Sequence, residues 1–422
     1  MSHWTLASLA SVVEEFDTLP QERRGMLLQF MNRKFPPALY EEHRDRRRNA
    51  LSHMGRTREA LSQATQQFPP FIPASGMTTD AAALRGHAVV FTAGGEGERL
   101  KTSLLKRGVS EAELLNFTKA TYGLPGFPGG FGTLQINCAM VAAICRDSGI
   151  DIPVVVTTGP EGSTTATVIP ELVARHNNFG LKHLRVITQE ERLFLSNEER
   201  IVLHEVDGIL QPVTHPDETG GPLMKLKQPG VLPGGASILN WLEELGCSKT
   251  IVVQATALYD KTVLPLMASA LGSHDCLGVG ILRDAFPATD PYGTFVSLKT
   301  DTGTVTVILE QDVRNDHTRS ITDPTGRFFL PYNTGFYAFH DRLLCDNDLP
   351  DFATPPKKLR PDLPRAPKIG YAAIDVITLA KDPIILAIDP TLFGVLKNAD
   401  DLERLAEMGS RFGLDRVCGE FR

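Results

Sequence analysis

The residues best suited to chemistry stand together in the run 89–100, VVFTAGGEGERL. A β-branched stretch leads straight into Ala93, Gly94, Gly95, Glu96, Gly97, Glu98 and Arg99. Glycines let the backbone close on an anion, and successive N–H groups form a nest for phosphate oxygens. Arg99 adds a permanent guanidinium whose planar fork suits the same oxygens. Two familiar glycine loops fit badly. A Walker A loop ends in Gly-Lys-Ser/Thr, which is missing, and the dinucleotide fingerprint needs GxGxxG with an acid about 20 residues on. A tight strand-to-helix turn without a ligand is the competing reading.

Other groups carry less. His204 and His215, with Asp207, Asp217 and Glu218, lack the spacing of a standard metal site and read as a polar loop. Ser163-Thr164-Thr165 has no His or Asp at a triad's spacing. Lys357, Lys358, Arg360, Arg365 and Lys368 read as a solvated loop, with a cover over a phosphate site as the second reading. Arg44, Arg46, Arg47 and Arg48 alternate with Glu41, Glu42 and Asp45, which predicts a solvated helix face rather than a nucleic-acid surface.

The elements that must position the glycine turn follow from patterning. In 422 residues, enough for two or three domains, 42% are apolar and 22% charged, as in ordinary globular chains. A net charge of −7 argues against a general nucleic-acid binder. No apolar run approaches the ~18–20 residues of a membrane span, and acids stand where a signal peptide is apolar. Six cysteines without a CxxC pair read as reduced thiols. The expectation is a cytoplasmic protein with small-molecule substrates and neither nucleic-acid nor membrane partners.

Helical periodicity dominates residues 1–70, and FPPFIPASGM (68–77) is a Pro-rich connector. Buried-strand runs follow: HAVVFTA (87–93), IPVVVTT (152–158), LRVITQ (184–189), TIVVQATAL (250–258), CLGVGIL (276–282) and PIILAID (383–389), the first several separated by helices. The run 294–312 predicts a hairpin around Asp301-Thr302-Gly303, and 349–368 a Pro-rich loop. The predicted fold class is α/β, with a mixed, mostly parallel central sheet flanked by helices and an N-terminal helical segment. The expected organisation is 1–77 helical segment and connector, 78–400 catalytic domain, and 401–422 C-terminal helix.

Several ordered motifs resemble the UDP-sugar pyrophosphorylases, of the UDP-N-acetylglucosamine and UDP-glucose type, over about residues 86–400. AGGEGERL is similar to the G-G-x-G-x-R-L loop of these Rossmann-like nucleotidyltransferases, with Ala93, Gly94, Gly95 and Gly97 on the nucleotide and Arg99 on its phosphates. FTKATYGLPGFPGGFGTLQIN (117–137) resembles the segment that carries the family's catalytic lysine, here Lys119. VVVTTGPEGSTTATVI resembles a family strand and its helix. VITQEERLFL resembles the strand whose glutamine meets uracil, here Gln189, and QPGVLPGGASILNWL places Gly234 and Gly235 near base or ribose. YGTFV, VILEQD and YNTGFYAF resemble sugar-pocket segments with Gly293, Glu310 and Asn333. FGVLKNADDL is similar to the Pro-Leu-Lys-Asn-Ala signature, with Lys397 on the lysine that meets the sugar phosphate. The resemblance implies that UTP and a sugar-1-phosphate are substrates.

Three departures stand out. The family's strand-end Asp, which helps hold Mg²⁺, has no counterpart among Gln254, Ala255, Thr256 and Ala257, although Asp260 follows closely. Mg²⁺ is therefore an expected cofactor with a weakened site and no assigned protein ligands. Arg99 and Lys119 stand 20 positions apart, farther than the family's habit, with Lys101, Lys106 and Arg107 in the extra segment. The chain also stops soon after Lys397, where many relatives continue. Two readings follow: a uridylyltransferase that makes a UDP-sugar, or a sugar-nucleotide binding protein with little turnover. The same fold using another nucleotide stays open as a third.

Overall fold

The computed structural model describes residues 3–421 apart from Asp207, Ala288, Pro291, Thr302, Lys357 and Pro361, so the expectations for Asp207, Thr302 and Lys357 fall outside the described residues. The chain divides into two compact units, one of residues 1–62, 190–221 and 349–372, the other of 63–189, 222–348 and 373–422.

The larger unit is built on an 11-stranded sheet. Its strands are β1 (Thr65–Gln67), β2 (Phe71–Pro73), β3 (His87–Thr92), β4 (Val154–Thr158), β5 (Leu184–Thr188), β6 (Lys249–Gln254), β7 (Cys276–Arg283), β8 (Thr294–Thr300), β9 (Gly303–Leu309), β10 (Phe329–His340) and β11 (Pro383–Ile388). The main order is β2-β11-β7-β10-β6-β3-β4-β5, with β8 joining β1, β9 and β10 at the side. Along the main path only β10 is antiparallel to its neighbours. The mixed, mostly parallel sheet is therefore present. Runs such as Val154, Val155 and Val156 are fully buried, as strands covered on both faces must be. The flanking helices are α1 (Glu98–Lys106), α2 (Thr133–Ser148), α3 (Thr164–Arg175), α4 (Ile238–Glu244), α5 (Val263–Leu271) and α6 (Asp401–Arg411). Every residue of α2 from Thr133 to Ile144 is buried, the mark of a helix enclosed all round.

Two expectations in this unit need correction. The run 250–258 is not one strand: β6 ends at Gln254, and Ala257–Tyr259 pairs instead with Phe393–Val395. The chain turns because Ala255 N still donates to Thr92 O while Thr256 O already accepts from Leu396 N. The C-terminal helix is two, Asp401–Arg411 and Leu414–Gly419, because Gly413 takes φ +71 between them.

The smaller unit packs helices Leu6–Val12, Gln21–Lys34 and Pro37–Gln63 with short strand pairs around Leu9, Val13, Leu27, Met31 and Ile201. Here the predicted loop 349–368 contains a strand, Asp351–Ala353, paired with Ile369–Tyr371. The arginine cluster is not wholly a solvated face. Arg46 and Arg47 are only 8% and 3% exposed. Arg46 donates to Asp351 at 2.7 Å and lies 4.1 Å above the Tyr371 ring, while Arg192 and Asp217 pair beside it at 2.9 Å. Acids far along the chain neutralise that inward face, so local sequence hid its burial. Arg48, on the outer face, pairs with Glu199 at 2.6 Å as expected of a solvated residue.

Candidate active site

The glycine turn begins where β3 leaves the sheet. Ala93 N still donates to Thr157 O at 2.8 Å, and the next residues run free of the ladder. Gly97, at φ +77, starts α1 in a left-handed conformation that disfavours any other residue. A Cβ at Gly97 would stand 2.5 Å from Lys119 Cβ, so the turn and Lys119 touch through the missing side chain. Likewise a Cβ at Gly94 would lie 1.8 Å from Gln189 Nε2. Gln189 is buried, and its Oε1 has no hydrogen-bond partner among the described residues. An amide with a free atom beside a glycine nest can read the polar edge of a base.

Three cations gather at this end. Burial pushes the Lys119 ammonium down to about 8, with Lys397 and Arg99 adding repulsion and Asp401 opposing them. Lys397 is lowered by burial first and then by Arg99, against Asp401 and Asp290. Arg99 itself is exposed at the second residue of α1. The Lys397 turn is fixed from several sides. Lys397 N and Asn398 N donate to Asp401 Oδ2 at 2.8 and 3.0 Å, and Ala399 N donates to Ser103 Oγ in α1 at 3.2 Å. Two lysines held down by burial and by neighbouring positive charge are poised to receive a polyanion.

A second group adjoins the first. Asn333 N donates to Gly293 O at 2.8 Å, and a Cβ at Gly293 would lie 3.2 Å from Glu310 Oε1. Asn333 Nδ2 donates to the Tyr337 hydroxyl at 2.8 Å and its Oδ1 accepts from Gly335 N at 2.9 Å. Amide and carboxylate together suit a polyhydroxylated ligand, with the fully buried Tyr337 hydroxyl orienting the amide from behind. Tyr292 and Tyr332, the residues just before Gly293 and Asn333, stack at 4.7 Å, and Lys397 Nζ lies 3.6 Å from the Tyr292 ring centre. The two groups therefore meet at Tyr292.

Of the sequence-predicted residues, the structure brings together Ala93, Gly94, Gly95, Gly97, Arg99, Lys119, Gln189 and Lys397 on one side and Gly293, Glu310 and Asn333 on the other. Gly234 and Gly235 are not brought against them: both have positive φ, on a loop closed by Gly230 N to Gly235 O, with open space around each. A groove of about 550 Å³ beside that loop is lined by Arg185, Trp241 and Glu244. Arg185 stands near the start of β5, whereas ligands of parallel sheets sit at strand C-termini, where the cations are.

Sequence reasoning missed Tyr292, Tyr332 and Asp401. Rings stacked across 40 positions and set against a lysine 105 positions on leave no local pattern, but Asp401 lies four residues past Lys397 and a turn-capping acid could have been read there. It also missed Asp375, whose charge reaches Tyr337 and which burial alone pushes up to about 7. A carboxyl raised above its ordinary value stabilises the fold fully at low pH and loses that contribution as pH climbs toward 7. Asp375→Asn is therefore expected to raise the melting temperature at pH 8 but not at pH 4. An equal change at both would exclude the buried charge as its cause.

The remaining candidates have structural partners. Ser163 caps α3, and Thr165 Oγ1 accepts from Gly159 N at 2.8 Å. His204 faces Arg360 at 3.0 Å, Asp217 takes Arg192, and Glu218 takes Lys368. Among the described residues no three His, Cys, Asp or Glu side chains stand together as a metal site. At the end of β6, Gln254 Nε2, a donor, faces Thr334 O at 3.3 Å. The end of β6 thus offers an amide where a carboxylate would suit Mg²⁺. No helix among the described residues is long and apolar enough to cross a membrane.

No family model matches the chain, and no curated protein matches it. Solved structures do. A UDP-N-acetylglucosamine pyrophosphorylase from Trypanosoma brucei in complex with an inhibitor is 16% identical, with TM-score 0.68 over 95% of this chain and 82% of its own. A UDP-glucose phosphorylase from the same organism is 14% identical, with TM-score 0.56 over 79% and 71%. A UDP-glucose pyrophosphorylase variant from Leishmania major, in complex with UDP-glucose, is 15% identical, with TM-score 0.54 over 80% and 70%. The chain has the fold of the UDP-sugar pyrophosphorylases.

Proposed function

From that fold we propose that the chain is a nucleotidyltransferase forming a UDP-sugar and pyrophosphate from UTP and a sugar-1-phosphate. The observation that carries the proposal is the convergence of Arg99, Lys119 and Lys397 on a glycine turn at the strand C-termini, next to the Gly293–Glu310–Asn333 group. An oxygen of the sugar phosphate attacks the α-phosphorus, and the bond to the bridging oxygen of the leaving pyrophosphate breaks. Both reactants are anions, so the work is alignment and charge neutralisation, with no protein nucleophile. In this reading Arg99 and the turn amides hold the outer phosphates. Lys119 meets the α-phosphate and the charge developing on pyrophosphate, while Lys397 steers the incoming phosphate. Gln189 reads the base. Glu310 and Asn333 bind sugar hydroxyls. Mg²⁺, lacking a protein cluster, would arrive on the triphosphate. Placement in the cytoplasm belongs to the same proposal.

The Gln254 donor at the strand end favours a second reading, a sugar-nucleotide binding protein with little turnover. One experiment separates the two: pyrophosphate release with UTP and Mg²⁺ across a panel of sugar-1-phosphates. Release with one sugar is the expected result. Silence with UDP-sugar still bound favours the second reading, and silence without binding points to another nucleotide.

A further inference from the structure

We propose that Tyr292 is a positioning residue for Lys397, holding its ammonium at the phosphate site through a ring stack backed by Arg283. The inference rests on the uridylyltransferase reading of that site. Lys397 Nζ lies 3.6 Å from the Tyr292 ring centre, well inside the ~6 Å over which a ring face attracts a cation. Tyr292 stacks on Tyr332 at 4.7 Å with 26° between planes, and the Arg283 guanidinium lies 5.2 Å from the centre of the Tyr332 ring. Two cations thus bracket two rings.

The stack is anchored from below. Tyr292 N donates to Asp290 Oδ1 at 3.2 Å, and Asp290 Oδ2 receives Arg283 at 2.7 Å and Arg314 at 2.6 Å. All three charged side chains are at most 5% exposed. Tyr332 is paired with Thr294, whose hydroxyl accepts from Arg314 at 3.0 Å. On the other side, the carboxylate in the Lys397 turn is occupied: Asp401 Oδ2 takes Lys397 N and Asn398 N, and Oδ1 takes Arg404. Among the described residues the Lys397 ammonium therefore rests on a ring face rather than on a carboxylate. A ring attracts the cation without neutralising it, so the full charge stays available to an arriving phosphate. The four-carbon stem meanwhile loses part of its rotamer freedom beforehand.

The test uses the full chain with Tyr292→Leu, Tyr292→Phe and, should the leucine variant not fold, Tyr292→Met, which fills the space without a π face. Steady-state pyrophosphate release gives KM for the sugar-1-phosphate and for UTP, and calorimetry gives binding of inorganic phosphate. The expected result is a roughly tenfold rise in KM for the sugar-1-phosphate, within the usual range of a desolvated cation–π contact. KM for UTP should stay within about twofold and Tyr292→Phe should restore most of the loss. Unchanged KM in the leucine or methionine variant, an equal rise for UTP, or a phenylalanine variant as impaired as leucine would each overturn the role. If the wild-type chain turns over no sugar phosphate, the uridylyltransferase reading fails separately. Weaker inorganic-phosphate binding in Tyr292→Leu, restored by Tyr292→Phe, then supports the positioning role. Equal binding, or none by the wild type, overturns it.

Discussion

Lys119→Ala is expected to lower pyrophosphate release roughly 10³-fold, the scale seen when one group that stabilises transition-state charge is removed. The lysine stands against the Gly97 turn, and burial, Lys397 and Arg99 bring its ammonium down to about 8. An approaching triphosphate would offset the repulsion from Lys397 and Arg99, so the charge is stabilised most when the phosphates are most negative. That is the condition for acting on kcat rather than on ground-state binding alone. KM for UTP should change much less than kcat. The fold should be indifferent, because deleting this ammonium removes a repulsion from the cluster. Equal melting temperatures with wild-type turnover would remove Lys119 from the mechanism. Equal loss in kcat and in UTP affinity would demote it to a binding residue.

Gly97→Ala is expected to be nearly as damaging, by a different route. Its φ of +77 costs an alanine about 1 kcal/mol, and the new Cβ would meet Lys119 Cβ at 2.5 Å. That neighbour is the root of a side chain and cannot swing aside, so the turn or Lys119 must shift. A displacement near 1 Å at a charged reacting group is worth about 10²-fold in rate. Gly95→Ala is the control, since nothing lies within 4 Å of a Cβ built there. It should melt like the wild type. Turnover lost in Gly95→Ala at unchanged melting would mean that the open space is where nucleotide lies. Full activity in Gly97→Ala would dismiss the close approach.

How legible the molecule was depends on the distance over which each signal acts. The strands β3, β4, β6, β7 and β11 announced themselves because parallel strands are apolar on both faces, a purely local property. The break at Ala255-Thr256 did not, because it is imposed by Leu396 from far along the chain. The glycine turn was readable because its conformational demand is local. Assignment of Lys119, Gln189 and Lys397 came from ordered motifs, and the close approaches at Gly94 and Gly97 together with the charge effects on the two lysines now give those positions a physical setting. Arg46 shows the opposite failure. A charged helix segment reads as solvated until acids from two later segments are known to lie against it. The aromatic support of Lys397 was invisible for the same reason.

The hydrogen bond from Ala399 N to Ser103 Oγ joins residues 296 positions apart. Closing so long a loop early in folding is entropically unfavourable, so contacts of this span form after the local ones that precede them. On a ribosome the glycine turn and Lys119 emerge long before Lys397 does, and domains acquire structure as they emerge. A nascent chain would therefore carry a cradle with one lysine and no second. The competent cluster assembles only once the Lys397 segment has docked on α1, and loss of nucleotide-dependent protection should be the first sign that this segment has come loose.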